Sequence, residues 1–287
     1  MANVLDIRRR VRSVKNTQQI TKAMKMVSAS RLRRTSERAI ASRPYTEKLY
    51  DMHQSILAKL PEPKGPFYTE RKGKLLLVVV AGDKGLCGSF NSNVFKHADS
   101  IIETYGSDQV DIIPIGKKAV AQYRKKGYSA LPGFQDIFRH LDRIVATEVV
   151  EHILKHYNEG GYGQVKILYN QFKNVLVQDL REKQVCPLLP DPDAEPEGKL
   201  VSQVEHLAEP GLQEILDELA PRVVFITLFQ ALLDSTASEH AARMTAMDSA
   251  TNSAIEMEER LTLEMNKARQ AAITTELIEI VSGAAAL

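Results

Sequence analysis

The sequence predicts a mixed chain of α+β and α/β character. The N- and C-terminal helices form a long antiparallel coiled coil, with an α/β domain inserted between them. Three observations point there. The helix breakers are confined to the middle: 14 of the 15 Gly lie between Gly65 and Gly211, no Gly or Pro precedes Pro44, and none occurs from Arg222 to Ser282. Gly and Pro interrupt helices, so both ends are free to form long ones. The ends also carry opposite charge. Residues 1–50 hold 13 Lys/Arg against 3 Asp/Glu, and residues 234–287 hold 4 against 9. Between Lys74 and Leu188 the hydrophobic pattern changes from a helical period to short apolar runs.

Residues 3–43 read as one helix. Val4, Ile7, Val11, Val14, Ile20, Met24, Val27 and Leu32 recur at spacings near three and four, with charges between them. Asn3 is the expected N-cap, and Asp6 favours the first turn. Pro44 is expected to kink or end the helix, after which Leu49, Met52, Ile56 and Leu60 restart the period.

Residues 222–282 read as a second helix, with Pro221 near its first turn and Gly283 at its C-terminal cap. Its stripe runs through Leu233, Ala237, Met244, Met247, Ala250, Ala254, Met257, Leu261, Met265, Ala268 and Ala272. A helix of that length is a rod of roughly 90 Å, whereas a 150-residue globule has a radius of gyration near ~15 Å. The rod must protrude, and the N-terminal helix is its only long partner in the sequence. Small residues such as Ala237, Ala241, Ala246, Ser249 and Ser253 permit close approach, and the opposite charges favour the pairing.

In the middle, Leu75–Ala81 is a continuous apolar run suited to a buried parallel strand. A Gly-rich turn follows, then an expected helix at Asn93–Tyr105, a strand at Val110–Ile115 and a helix at Lys117–Lys126. Arg143–Asn158 reads as another helix, and Gly163–Phe172 and Asn174–Leu180 as two strands joined by a tight turn. This alternation predicts a mainly parallel sheet with helices on both faces. Residues 187–211 hold five prolines and many acids and read as a surface loop. The organisation is thus a coiled-coil helix at 1–60, an α/β domain at 73–205 and a second coiled-coil helix at 210–287.

Composition narrows the function classes. A 44% hydrophobic fraction excludes general disorder, and the charges nearly cancel at +2. Two cysteines, Cys87 and Cys186, exclude a disulfide scaffold and point to a reducing compartment with buried free thiols. The first ten residues show no secretory h-region, and no apolar stretch approaches the ~20 residues of a membrane span.

Candidate chemistry is sparse. Gly82-Asp-Lys-Gly-Leu-Cys-Gly88 follows the first strand, where a phosphate loop would sit, but its glycines are three apart. Neither the P-loop nor the dinucleotide spacing is met, so a strand-to-helix turn is expected and no cofactor is implied. Glu148, His152 and His156 share a helix face without a zinc-site motif, so a surface triplet is expected and no metal. No catalytic set stands out. The rod itself is the unusual feature, which suggests a mechanical or interaction role. Two other classes stay open at this point: a nucleotide-binding α/β enzyme with helical arms, and a basic scaffold for nucleic acid or membrane. The first 44 residues offer no interleaved aromatics to stack on bases, which argues against nucleic acid.

Asp6–Arg34 (DIRRRVRSVKNTQQITKAMKMVSASRLRR), Arg243–Met257 (RMTAMDSATNSAIEM) and Asn266–Leu287 (NKARQAAITTELIEIVSGAAAL) carry a resemblance along the whole chain. It resembles the gamma subunits of F-type ATP synthase, the central rotor stalk, in their bacterial form. The resemblance implies a Rossmann-like middle domain that binds no nucleotide. It also implies a coiled coil inserted into a hexamer of three alpha and three beta subunits, and a foot resting on the c-subunit ring beside epsilon. Such a chain is a non-catalytic shaft on the cytoplasmic face of the cell membrane, reaching the membrane only through the Fo sector. Plastid relatives carry an inserted segment with a cysteine pair; none is present here, so thiol regulation is not implied.

Matched by motif, the stator-facing residues are Met24 with its basic neighbours Arg9 and Lys22, and Arg269, Gln270 and Thr274 on the C-terminal helix. The segment Val204–Pro210 resembles the loop that faces the c-ring and epsilon, with His206 and Glu209 at matching positions.

Overall fold

The computed structural model describes residues 4–60, 62–159, 161–190 and 211–285. Asn3, the expected N-cap, lies outside them, as do His206, Glu209 and most of the proline-rich segment. The elements run α1 (Val4–Leu57), β1 (Lys74–Val80), α2 (Phe90–Tyr105), β2 (Val110–Ile115), α3 (Lys117–Lys126), α4 (Arg143–Glu159), β3 (Tyr162–Phe172), β4 (Gln178–Cys186) and α5 (Leu212–Ala285). Among the described residues no helix is long and apolar enough to cross a membrane.

Contacts divide the chain into two units. One holds the residues up to Ala29 and from Arg243 onward; the other runs from Ser30 to Ala242.

The larger unit is built on a four-stranded sheet in the order β2-β1-β3-β4. β1 pairs parallel with β2 and β3, and β3 pairs antiparallel with β4. β1 is buried on both faces, which is why it reads as an unbroken apolar run. Leu76, Val78 and Val80 face a core made with Val149, Ile153 and Tyr157 of α4, Ala39, Leu49 and Ile56 of α1, and Leu216, Val223 and Leu232 of α5. Leu75, Leu77 and Val79 face the other layer, where Val94, Ala98 and Ile102 of α2 and Ala119 and Tyr123 of α3 pack. Beyond β2, the backbone of Ser129–Phe134 bonds to Ile112 and Pro114 and covers that edge. The Rossmann-like reading of this unit holds, with an antiparallel strand at its other edge.

Three boundaries differ from the sequence reading. α1 does not end at Pro44 but passes through it to Leu57. Proline removes one helical hydrogen bond, a local cost that tertiary contacts offset here. Ala39, Leu49, Ile56 and Leu57 are all buried. The Arg43 side chain bonds the Phe172 carbonyl and, at 2.8 Å, the Asp234 carboxylate. α5 begins at Leu212, so Pro221 lies inside it, held by the buried Leu216, Leu219, Val223 and Val224 around it. The helix also runs past Gly283, which is therefore not its cap.

The fourth strand is displaced from 174–180 to Gln178–Cys186. The apolar Val175, Leu176 and Val177 imitate a strand in sequence but form the hairpin turn. Asn174 Oδ1 accepts the amides of Leu176 and Val177 at 2.9 and 2.8 Å, closing an Asx turn.

The smaller unit pairs the start of α1 antiparallel with the end of α5. Its seam repeats every seven residues on both helices. On α1 it is Ile7, Val11, Val14, Gln18, Thr21, Lys25 and Ser28; on α5 it is Met244, Met247, Thr251, Ala254, Glu258, Leu261 and Met265, all buried or half-buried. A sustained heptad seam is the signature of a coiled coil. Ile20 and Val27, expected in the stripe, are instead solvent-exposed, as is Met257.

Candidate functional site

On α1 the seam is apolar from Ile7 to Val14 and polar from Gln18 to Ser28; on α5 apolar residues at either end flank Thr251 and Glu258. Thr251 Oγ1 donates to Thr21 Oγ1 at 2.8 Å, and Thr21 Oγ1 donates to the Gln18 carbonyl at 3.0 Å. Both threonines are buried. One turn along, Lys25 Nζ bonds Asp248 Oδ1 at 2.6 Å. In the other direction Lys15 Nζ is 3.4 Å from a Glu258 oxygen. Polar partners across a coiled coil fix its register, because sliding by one residue leaves them unpaired in an apolar seam. The sequence stripe missed Gln18, Thr21, Lys25 and Thr251 because they are polar. The available signal was heptad spacing: Gln18 and Lys25 lie seven and fourteen residues after Val11, Thr21 fourteen after Ile7, and Thr251 seven after Met244.

The same register defines where the pairing stops. Residues 25 and 248, like 15 and 258, add to 273, so Val4 stands level with residue 269. Among the described residues, α5 beyond that point has no facing helix in this unit, and residues 269–282 are all exposed. Ile273, Leu277, Ile278, Ile280 and Val281 are the large apolar groups there. Large apolar side chains exposed together at one helix end make this segment the candidate interaction surface.

The motif-matched residues fall on the outer surface of this unit. Arg9 is exposed and 3.7 Å from Asp6; Lys22 is exposed, and Met24 is half-buried beside the seam. Arg269, Gln270 and Thr274 are exposed on α5, with Thr274 Oγ1 bonded back to the Gln270 carbonyl at 2.9 Å. None is consumed in the seam. His206 and Glu209 lie outside the described residues.

In the sheet unit, the Gly82–Gly88 loop is a strand-to-helix turn tied to itself. The Gly82 amide donates to Asn91 Oδ1 at 2.8 Å, and the Asn91 side-chain amide reaches Cys87 Sγ at 3.2 Å. Asp83 Oδ1 accepts the amides of Lys117 and Asp136 at 3.0 and 3.2 Å. The N-terminus of α3, where an anion would bind, thus receives a carboxylate from the chain itself. A Cβ on Gly82 would stand 2.8 Å from the Glu239 carboxyl carbon, so α5 packs directly on the loop.

His152 lies edge-on between Phe134 and His156, at centroid distances of 5.3 and 4.6 Å. Burial, then the neighbouring His156, hold its pKa below the usual histidine value. Among the described residues no three His, Cys, Asp or Glu side chains converge as metal ligands. Cys87 and Cys186 are both buried free thiols.

The ATP synthase family model matches residues 3–287. An ATP synthase gamma chain from Cytophaga hutchinsonii is 43% identical over 301 residues, covering all of this chain and 99% of that protein. One from Chloroherpeton thalassium is 41% identical over 300 residues, with the same coverage. Among solved structures, a chain from the central stalk and c-ring of Tetrahymena thermophila mitochondrial ATP synthase is 25% identical. It aligns with a TM-score of 0.60 over 80% of this chain and 99% of that one. A chain of the Euglena gracilis mitochondrial ATP synthase, at 19% identity, shares the fold with a TM-score of 0.70 over 99% of this chain and 94% of its own. With its heptad-paired ends and sheet unit matched along the whole length, the chain belongs to the ATP synthase gamma-chain family, the central stalk of the F1 sector.

Proposed function

We propose that this chain is the central rotary shaft of a proton-translocating F1Fo ATP synthase. It couples rotation of the c-subunit ring to conformational cycling of the catalytic beta subunits, which make ATP from ADP and phosphate. The chain itself is non-catalytic. Its partners are the alpha3beta3 hexamer, the epsilon subunit and the c-ring. It works on the cytoplasmic face of a bacterial membrane as a peripheral subunit, contacts the membrane only through Fo, and binds no nucleic acid.

The observation that carries this reading is the helix pair. Its register is fixed by buried polar partners, and the last turns of α5 extend beyond the start of α1 with apolar side chains exposed. A shaft drives a switch only if it contacts the switch's states with different free energies. An asymmetric pair of helices inside a threefold ring gives each beta subunit a different contact at each angle. Within that arrangement, Met24, Arg9 and Lys22 on α1 and Arg269, Gln270 and Thr274 on α5 face the alpha–beta hexamer. His206 and Glu209 face the c-ring and epsilon at the foot.

Co-expression with alpha and beta subunits tests the assignment. The chain is expected to co-purify with the hexamer, and truncation after Arg222 is expected to abolish proton-coupled ATP synthesis. Failure to co-purify, or coupled synthesis by the truncated form, contradicts it.

A further inference from the structure

The run Arg71-Lys72-Gly73-Lys74 leads into β1, and glycine recurs at 161 and 163 where β3 begins. These two segments lie closer than any side chain would allow. A Cβ on Gly73 would stand 2.0 Å from the Gly161 carbonyl oxygen, and one on Gly163 would stand 2.5 Å from that of Arg71. Bare backbone of this kind admits the close approach of another backbone or of a ligand. It draws the basic run against the start of β3. Gly73 and Gly163 also form part of the wall of a cleft of about 390 Å³, within the size range of ligand pockets. The cleft lies at the N-terminal ends of β1 and β3, at the opposite end of the sheet from the Gly82–Gly88 loop.

The cleft is rich in hydrogen-bond donors. Arg71, Lys72 and Lys74 line it, and no Asp or Glu is among its lining residues. Lys74 is engaged by one oxygen of Asp111 at 3.4 Å, while the other accepts the Tyr162 hydroxyl at 2.7 Å. Arg71 is held over the Tyr157 ring at 5.2 Å and by the Pro66 carbonyl at 3.3 Å, which fixes its guanidinium without cancelling the charge. Lys72 is exposed and has no bond or ion pair among the described residues. Tyr105 Oη accepts Lys166 Nζ at 3.1 Å and keeps its own proton to give. The side-chain amides of Gln109 and Gln164, also in the lining, have no partner among the described residues. A ligand that answers these groups must be anionic and present several acceptor oxygens. Phosphate does so, and lysine binds it as a point charge. A carboxylate has only two oxygens for donors that arrive from four separate stretches of the chain.

We infer that this cleft binds the phosphate group of a small-molecule or lipid ligand, with Lys72 and Arg71 meeting its charge and Tyr105, Gln109 and Gln164 donating to its oxygens. The inference stands apart from the central-stalk reading, since coupling to the beta subunits requires no ligand here.

The test titrates the full chain with inorganic phosphate and with glycerol phosphate by calorimetry. It also sediments the chain with vesicles of phosphatidylcholine, alone or mixed with phosphatidylglycerol. Lys72→Glu and Tyr105→Phe are compared with the parent and with Lys125→Glu, which makes the same charge change at an exposed position on α3. The parent is expected to bind a soluble phosphate, which identifies a small molecule, or the mixed vesicles alone, which identifies a lipid headgroup; either result supports the site. Lys72→Glu should weaken the binding about tenfold and Tyr105→Phe about fivefold. Their thermal midpoints should match the parent's, and Lys125→Glu should bind like the parent. Absence of parental binding to every probe overturns the inference. So does an equal loss in Lys125→Glu, which would mean diffuse charge attraction, or parental affinity in both Lys72→Glu and Tyr105→Phe.

Discussion

Thr251 of α5 and Thr21 of α1 share a hydroxyl–hydroxyl hydrogen bond of 2.8 Å inside the heptad seam. The two residues are 230 positions apart in the chain, so this contact exists only when the helix pair is in one register. With Lys25–Asp248 a turn away it makes the middle of the seam polar where packing alone would favour leucine. Thr251→Val leaves a buried hydroxyl of Thr21 without its donor and should destabilise by about 1 kcal/mol. Thr21→Val with Thr251→Val should recover most of that loss. A double-mutant cycle by denaturant unfolding measures it, and simple additivity would mean the two hydroxyls are uncoupled.

Arg43 and Asp234 form the corresponding contact in the sheet unit. Asp234 is almost wholly buried, and burial raises its pKa even though Arg43 and Gln230 oppose that rise. Arg43→Ala leaves a buried carboxylate uncompensated and should cost about 3 kcal/mol at neutral pH. A carboxyl whose folded pKa lies above its unfolded value stabilises the fold more as pH falls through the folded value. The Arg43→Ala penalty should therefore shrink in mildly acidic buffer. A penalty independent of pH would show that Asp234 is not its source.

His53 is fully buried on α1, with Nε2 3.2 Å from Tyr68 Oη, while Tyr68 Oη donates to the Leu216 carbonyl at 3.0 Å. Tyr68 spends its one proton on Leu216, so His53 donates from Nε2 and keeps Nδ1 bare. Nδ1 has no partner, and burial lowers the His53 pKa to about 4. The unfolded chain binds the proton near pH 6.5, so between pH 6.5 and about 4 it holds more protons than the folded chain. Stability should fall by about 3 kcal/mol as pH drops through that window. His53→Gln should remove this slope in a series of unfolding midpoints against pH; an unchanged slope would place the titration elsewhere.

The last turns of α5 face no helix within their unit, so they contribute little to it. Deleting residues 271–287 should leave the thermal midpoint of the free chain within a few degrees of the parent. Binding to alpha3beta3 should weaken by tenfold or more, since Ile273, Leu277, Ile278, Ile280 and Val281 are lost together. A large drop in the midpoint would mean those turns stabilise the chain itself.

Much of the fold was legible because its signals were local. β2 and α3 were read to the residue, since Gly106, Gly116 and Gly127 punctuate them and β2 is buried along its whole length. Pro44 and Pro221 misled because a proline's cost is local, whereas the burial that offsets it comes from strands far along the chain. Val175–Val177 misled because an Asx turn at Asn174 outweighs three β-prone side chains. At the candidate site, Arg9, Lys22, Arg269, Gln270 and Thr274 are exposed, and an apolar stripe gave no hint of the polar seam. A hydrophobicity pattern is blind to Gln18, Thr21 and Lys25, whose role appears only when Thr251 and Asp248 stand opposite.

Rotation is the central claim, and it is directly observable. The chain would be assembled with alpha3beta3 fixed to a surface, a bead attached to the sheet unit, and ATP added. The account predicts sustained rotation in one direction, in steps of a third of a turn set by the three beta subunits, slowed or made irregular by loss of residues 271–287. A bound chain whose bead only fluctuates about a fixed angle during ATP hydrolysis would contradict it.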